Sequence, residues 1–170
     1  STIVINSTSI IGGNGLVIHR PKLPALATQQ SGYLVSHFQS FEDALFADAA
    51  SGFTTRNYRN FIESSSWVDH NLFNGLAKNV DALRLSAYFL KDRGRRIEGG
   101  PLWDFDRSAN STDSRDDYYY VWRGTGDSTD YFTYAWWSQL FMDIEFRQLY
   151  VDRWQELRAE GRVRGPLAAP

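Results

Sequence analysis

Residues 84–103, RLSAYFLKDRGRRIEGGPLW, constrain the fold more than any other stretch. Two apolar, β-prone runs, 84–92 and 96–103, flank the turn-like RGRR, so the spacing predicts an antiparallel hairpin. With its turn centred between Asp92 and Arg93, Asp81 and Asp104 face each other at the open end, with Cα atoms about 5 Å apart in an ideal register. A bulge at Gly99 and Gly100 would slip the pairing by one residue and still bring the two acids together. Like charges that close repel, and a carboxylate is costly to desolvate without a partner. The hairpin therefore raises the question of what lies between Asp81 and Asp104.

The flanking sequence is mostly helical in pattern. TIVI (2–5) and GLVIH (15–19) read as short β runs around an IGGNG turn, and Pro21 and Pro24 break any regular element beyond them. Phe38, Phe41, Leu45 and Phe46 predict a helix over 36–48 with these residues on one side. Ser66 and Asp69 resemble a capping box opening a second helix, in which Val68, Leu72 and Leu76 keep a four-residue step until about Lys78 or Asn79. Residues 104–130 form a long polar stretch with seven Asp. A third helix is expected around YFTYAWWSQLF (131–141). A fourth is expected from Ile144 to about Ala159, N-capped by Asp143 and stopped by Gly161, with Phe146, Tyr150, Trp154 and Leu157 on one face. The class is α+β, mainly helical, with a β-hairpin carrying the acidic site. One domain spans 1–160, with 1–35 a β and loop hinge region, 36–160 the core, and 161–170 a tail without regular structure.

Composition narrows the functional classes. The chain has 170 residues, 42% hydrophobic and 15% aromatic, which suits a packed domain and excludes disorder. Its net charge of −2 supplies no basic field for nucleic acid. There is no cysteine, which removes disulfides, thiolate metal sites and cysteine nucleophiles. No apolar run reaches the ~18 residues of a membrane span, and no signal peptide is visible. The start at Ser1, without an initiator Met, is expected of a processed chain or of a piece of a longer protein.

On the residues alone, three readings of the acidic pair stay open. Asp81 and Asp104 could cap turns. They could hold a hard cation such as Mg²⁺, Mn²⁺ or Ca²⁺, for which carboxylate oxygens are suited. One could act as a base and the other as a metal ligand, as phosphoryl transfer requires. An EF-hand is excluded, because Ala109 stands at the glycine position and Arg115 at the closing glutamate. His19, His37 and His70 have no metal-ligand spacing, and no G-x-S-x-G elbow supports a serine nucleophile. Trp136 and Trp137 read as core. Tyr118, Tyr119, Tyr120 and Trp122 fit either a strand or a substrate groove. Arg93, Arg95 and Arg96 read as a solvated turn, Gly13 and Gly15 as a β-turn, and NST at Asn6 and Asn110 is a weak glycosylation signal.

KNVDALRLSAYFLKDRGRRIEGGPLWDFDRSAN resembles the core of the CotH kinase family, spore coat protein H and its relatives. There a catalytic Asp follows a helix, a hairpin intervenes, and a W-D-[FW]-[DN] motif supplies a metal-binding Asp. SWVDHNLFNGLAKNVD is similar to the family's preceding helix, and FTYAWWSQLFMDIEFRQLYVDRWQELR to its closing W…L…D..F…RW..LR pattern, so the resemblance covers about residues 57–160. It implies a protein-kinase-like fold, of which this chain would be the C-terminal lobe. Asp81 would be the catalytic base, Asp104 a Mg²⁺ or Mn²⁺ ligand that also contacts ATP, Asp106 a second metal ligand, and Asn79 a helper beside the base and nucleotide.

The chain departs from the family at three places. Ala109 and Asn110 replace a Phe-Gly-like pair, Leu85 and Ser86 stand where many members have an Asn ligand, and no upstream lysine fits the phosphate-gripping role. Lys22 lies between prolines. The resemblance implies partners in the form of a nucleotide and a protein acceptor, and a secreted, cell-surface or spore-surface location in a bacterium. The expected function is transfer of phosphate to a protein hydroxyl, with this fragment itself inactive if the other lobe is needed. A non-catalytic surface or coat interaction module on the same fold is the alternative, and a metal-dependent hydrolase a third.

Overall fold

The fold was obtained as a computed structural model, which describes residues 3–7, 16–20, 28–83, 85–108, 115, 129–134 and 136–161. The expectations for Lys22, for the turn at Gly13 and Gly15, for Asn110, and for Tyr118 to Trp122 lie outside these residues.

Four antiparallel strands form one sheet in the order β2-β1-β3-β4. β1 is Ile3–Ser7, β2 Leu16–Arg20, β3 Ala87–Lys91 and β4 Ile97–Gly99. The two β runs expected near the start are thus present. β1 pairs along its whole length with β3, joining the first hairpin to the second.

Helix α1, Thr28–Ala50, is longer than the expected 36–48 and starts inside the region assigned to the hinge. Leu34, Phe38, Phe41 and Leu45 are its buried apolar stripe, whereas Phe46 is 50% exposed and falls off it. The step from 38 to 41 to 45 follows one helical face and 46 does not. A 3₁₀ turn at Asn57–Asn60 leads to α2, Ser64–Leu76. The expected capping box is absent, since Ser66 lies within the helix. Its hydroxyl donates to the Glu63 carbonyl at 2.8 Å and accepts the Gly99 amide at 3.0 Å, tying α2 to β4.

The core lies where α1, α2, the sheet and α3 (Trp136–Leu140) meet. Trp67 is fully buried, donates its indole N–H to the Ile97 carbonyl at 3.0 Å, and sits 4.8 Å from Phe89 and 5.3 Å from Trp137 between ring centroids. Such aromatic pairs are worth roughly 0.5–1.5 kcal/mol beyond the area they bury. Both Trp136 and Trp137 are core residues, as expected. The third helix is shorter than 131–141 because Tyr131–Phe132–Thr133 form a turn in front of it.

Helix α4, Ile144–Ala159, matches the expected bounds. Asp143 accepts the Glu145 amide at 3.0 Å as its N-cap, and Gly161 follows the helix at φ +67°. The same fully buried carboxylate also receives Arg56, Tyr58 and Arg59, which pins the start of α4 to the 3₁₀ turn. The fold is mixed, mainly helical with a small sheet. Among the described residues no helix is long and apolar enough to cross a membrane.

Candidate functional site

The hairpin forms, but not in the expected register. Leu90 faces Glu98 and Lys91 faces Ile97, so the turn is centred on Gly94 rather than between Asp92 and Arg93. Gly94 sits at φ +69°, a conformation cheap only for glycine, and that fixes the centre. The ladder is short: its last bond runs from the Gly100 amide to the Tyr88 carbonyl at 2.9 Å, and Gly100, at φ +134°, then turns the chain away. Asp81 and Asp104 are therefore not cross-strand neighbours.

They meet the same turn by another route. After α2 the chain reverses through Lys78, at φ +53°, with the Asn79 amide returning to the Asn74 carbonyl at 3.0 Å. Residues 79–86 then wind into a tight turn in which the Asp81 carbonyl accepts the amides of Leu85 at 2.9 Å and Ser86 at 3.1 Å. The Asp81 side chain is buried, with Asp81 8% exposed.

On the other side, the segment after β4 runs back along the turn. Trp103 tilts against Tyr88 with centroids 5.8 Å apart, and Phe105 packs edge-on against Phe73 of α2 at 5.6 Å. Between these two rings Asp104 takes φ +61°, a left-handed conformation that Asp tolerates better than most residues. The fully buried Asn79 donates to its carbonyl at 3.1 Å and more weakly to that of Trp103 at 3.4 Å. Ser86 donates its hydroxyl to Asp104 Oδ2 at 3.2 Å. Both acids thus converge on the 79–86 turn.

Two arginines complete the cluster. Arg107 Nη1 lies 3.1 Å from Asp81 Oδ2, and Arg115 Nη2 lies 3.4 Å from Oδ1. Neither was expected from the sequence. Arg107 follows Asp104 closely enough to have been weighed, whereas Arg115 sits in an acidic stretch with no pattern that points back to Asp81. Asp106 is exposed, in the turn that follows Asp104.

Among the described residues no group of three or more His, Cys, Asp or Glu could hold a metal ion. That excludes a cage built from the described side chains, but not a Mg²⁺-type site, which uses one or two carboxylates and completes its shell with phosphate and water. Asp104 suits the latter, being exposed, with Oδ1 lacking any partner among the described residues.

His70 is 3% exposed and lies within stacking distance of Phe89 and Trp137. Burial lowers its pKa to about 4, which keeps it neutral and in the core. His37 packs between Tyr33 and Phe61, and burial, then Lys91, lowers its pKa too. The Arg95 and Arg96 guanidiniums are exposed at the hairpin tip, as expected.

A protein-family model described as "CotH kinase protein" matches residues 19–161. No curated protein and no solved structure matches the chain.

Proposed function

The chain belongs to the CotH kinase family, and on that premise we propose that the 79–86 turn and the segment after β4 form a phosphotransferase site. Its substrate is a nucleoside triphosphate, with ATP as the working choice, and its acceptor a protein hydroxyl. The observation that supports this most directly is the convergence of Asp104 and Asp81 on one turn, Asp104 exposed and Asp81 buried beneath it.

Asp104, assisted by Asp106, holds Mg²⁺ or Mn²⁺. When bound, that ion neutralises phosphate oxygens and lets charge develop on them during transfer. Asp81 accepts the proton of the acceptor hydroxyl. Asn79 acts from below, fixing the backbone at Asp104 through its carbonyl rather than touching the nucleotide, since its side chain is fully buried. Arg107 and Arg115 hold the Asp81 carboxylate in one orientation.

Their engagement of both Asp81 oxygens also favours a second reading, a non-catalytic surface or coat module in which the acid serves structure. Calorimetric titration of Mn²⁺–ATP into the chain, beside Asp104→Asn and Asp81→Asn, separates the two. A phosphotransferase site binds in the wild type and in Asp81→Asn, and loses binding in Asp104→Asn. Absence of binding to the wild type would favour the module.

A further inference from the structure

We propose that Ser86 is a positioning residue that confines Asp104 to one-oxygen coordination, through Oδ1, and thereby favours Mg²⁺ and Mn²⁺ over Ca²⁺. The inference rests on the metal reading of Asp104 and adds discrimination between cations to it.

Ser86 is 8% exposed and sits where the turn enters β3. Its amide donates to the Asp81 carbonyl at 3.1 Å, which closes the turn without help from the side chain. The hydroxyl is therefore available for something else, and it donates to Asp104 Oδ2 at 3.2 Å. The Asp104 backbone is held separately, by Asn79 on its carbonyl at 3.1 Å. Asp104 is thus held at its backbone and at Oδ2, while Oδ1 has no partner among the described residues.

An oxygen that accepts a hydroxyl proton has a lone pair committed and a partial positive charge directed at it, so it is a poor second ligand for a cation. Ca²⁺ takes 6–8 oxygens at about 2.3–2.6 Å and gains from bidentate carboxylates. Mg²⁺ keeps a tight octahedron at about 2.0–2.1 Å and needs a single oxygen from each carboxylate, the remainder coming from phosphate and water. Blocking Oδ2 therefore removes more from Ca²⁺ than from Mg²⁺ or Mn²⁺. Groups that orient a ligand without touching the metal commonly alter affinity by about 10–100-fold.

Calorimetry with preformed Mn–ATP, Mg–ATP and Ca–ATP tests this on the wild type, Ser86→Ala, Ser86→Thr and Asp104→Asn, with a thermal melt on each. Ser86→Ala is expected to weaken Mn–ATP about tenfold and to shift the Ca-to-Mn preference several-fold toward Ca²⁺. Ser86→Thr, which keeps the hydroxyl, should retain wild-type preference. If Ser86→Ala does not fold, Ser86→Cys fills the same space with a weaker donor and should shift the preference in the same direction. An unchanged preference in the Ala or Cys variant, with Asp104→Asn non-binding, overturns the role of Ser86 and leaves the metal site standing. A wild type that binds none of the complexes overturns both.

Discussion

Tyr58 donates its phenolic hydrogen to Asp143 Oδ2 at 2.7 Å, and both side chains are fully buried. Arg56 Nε lies 3.0 Å from each oxygen of the same carboxylate, and Arg59 Nη2 lies 3.2 Å from Oδ2. Removing the charge takes one of two carboxylates from each guanidinium, since Arg56 and Arg59 also pair with Glu145 at 3.0 and 2.9 Å. Asp143→Asn should therefore lower stability by about 1–3 kcal/mol, the cost of weakening hydrogen bonds to a charged group whose arginine partners stay solvated and paired elsewhere. Urea titration measures this.

That carboxylate also sets an acid limit. Burial pushes its pKa up, but bonds from Tyr58, the Glu145 amide and Arg56 outweigh burial and hold it below the ordinary 3.8. Folding thus favours the charged form. The contribution is complete above 3.8 and is lost as pH falls through the lower folded-state value. Asp143→Asn should remove this last acid-dependent loss, read as a flattened midpoint-against-pH curve below 3.8.

His70 acts in a separate window. With its pKa lowered to about 4 from 6.5, the fold prefers the neutral ring. Its contribution is full above 6.5 and falls away as pH drops toward 4, by roughly 3 kcal/mol in all. His70→Phe keeps an aromatic ring beside Phe89 and Trp137 and should abolish the slope between those values. An unaltered slope would assign it to another group.

Gly99 lies against α2. A Cβ there would meet the Ser66 carbonyl at 3.1 Å and the Trp67 Cα at 3.2 Å, both backbone atoms that cannot turn aside. Gly99→Ala should lower stability by about 1–3 kcal/mol through overpacking. Thermal melting checks it, with Gly94→Ala as a contrast whose strain comes from φ rather than contact.

Asn79→Ala would leave the Trp103 and Asp104 carbonyls without their donor. A loss of about 1–3 kcal/mol is expected. Because the affected backbone is local, trypsin should cut after Arg107 faster in the variant even at temperatures where the core remains folded.

The parts legible in the sequence were those written in local chemistry. The bounds of α4, its Asp143 cap and the Gly161 stop depend on neighbouring residues and were read directly. So was the family, whose motifs stand in order along the chain. The register of the hairpin was missed because RGRR offers several turn centres, and only the left-handed backbone of Gly94 selects one. Asp81 and Asp104 were expected as cross-strand neighbours from that incorrect register; Asp104 instead reaches the turn that carries Asp81 by a return segment held by Asn79 and Ser86. Arg107 and Arg115 on Asp81, and Arg56 and Arg59 on Asp143, are pairings between distant positions that no periodicity announces.

The central place of β1 in the sheet has a kinetic consequence. Ile5 pairs with Phe89, so a strand near the start of the chain must wait for one made after two helices. Closing that loop costs entropy before any ladder bond repays it, and contacts of such long range slow folding. During synthesis α1 and α2 can form first, while β1 and β2 remain an unmatched ribbon with an open edge. The sheet that carries the acidic turn is then completed late, and the turn acquires its final geometry only when β3 docks between β1 and β4.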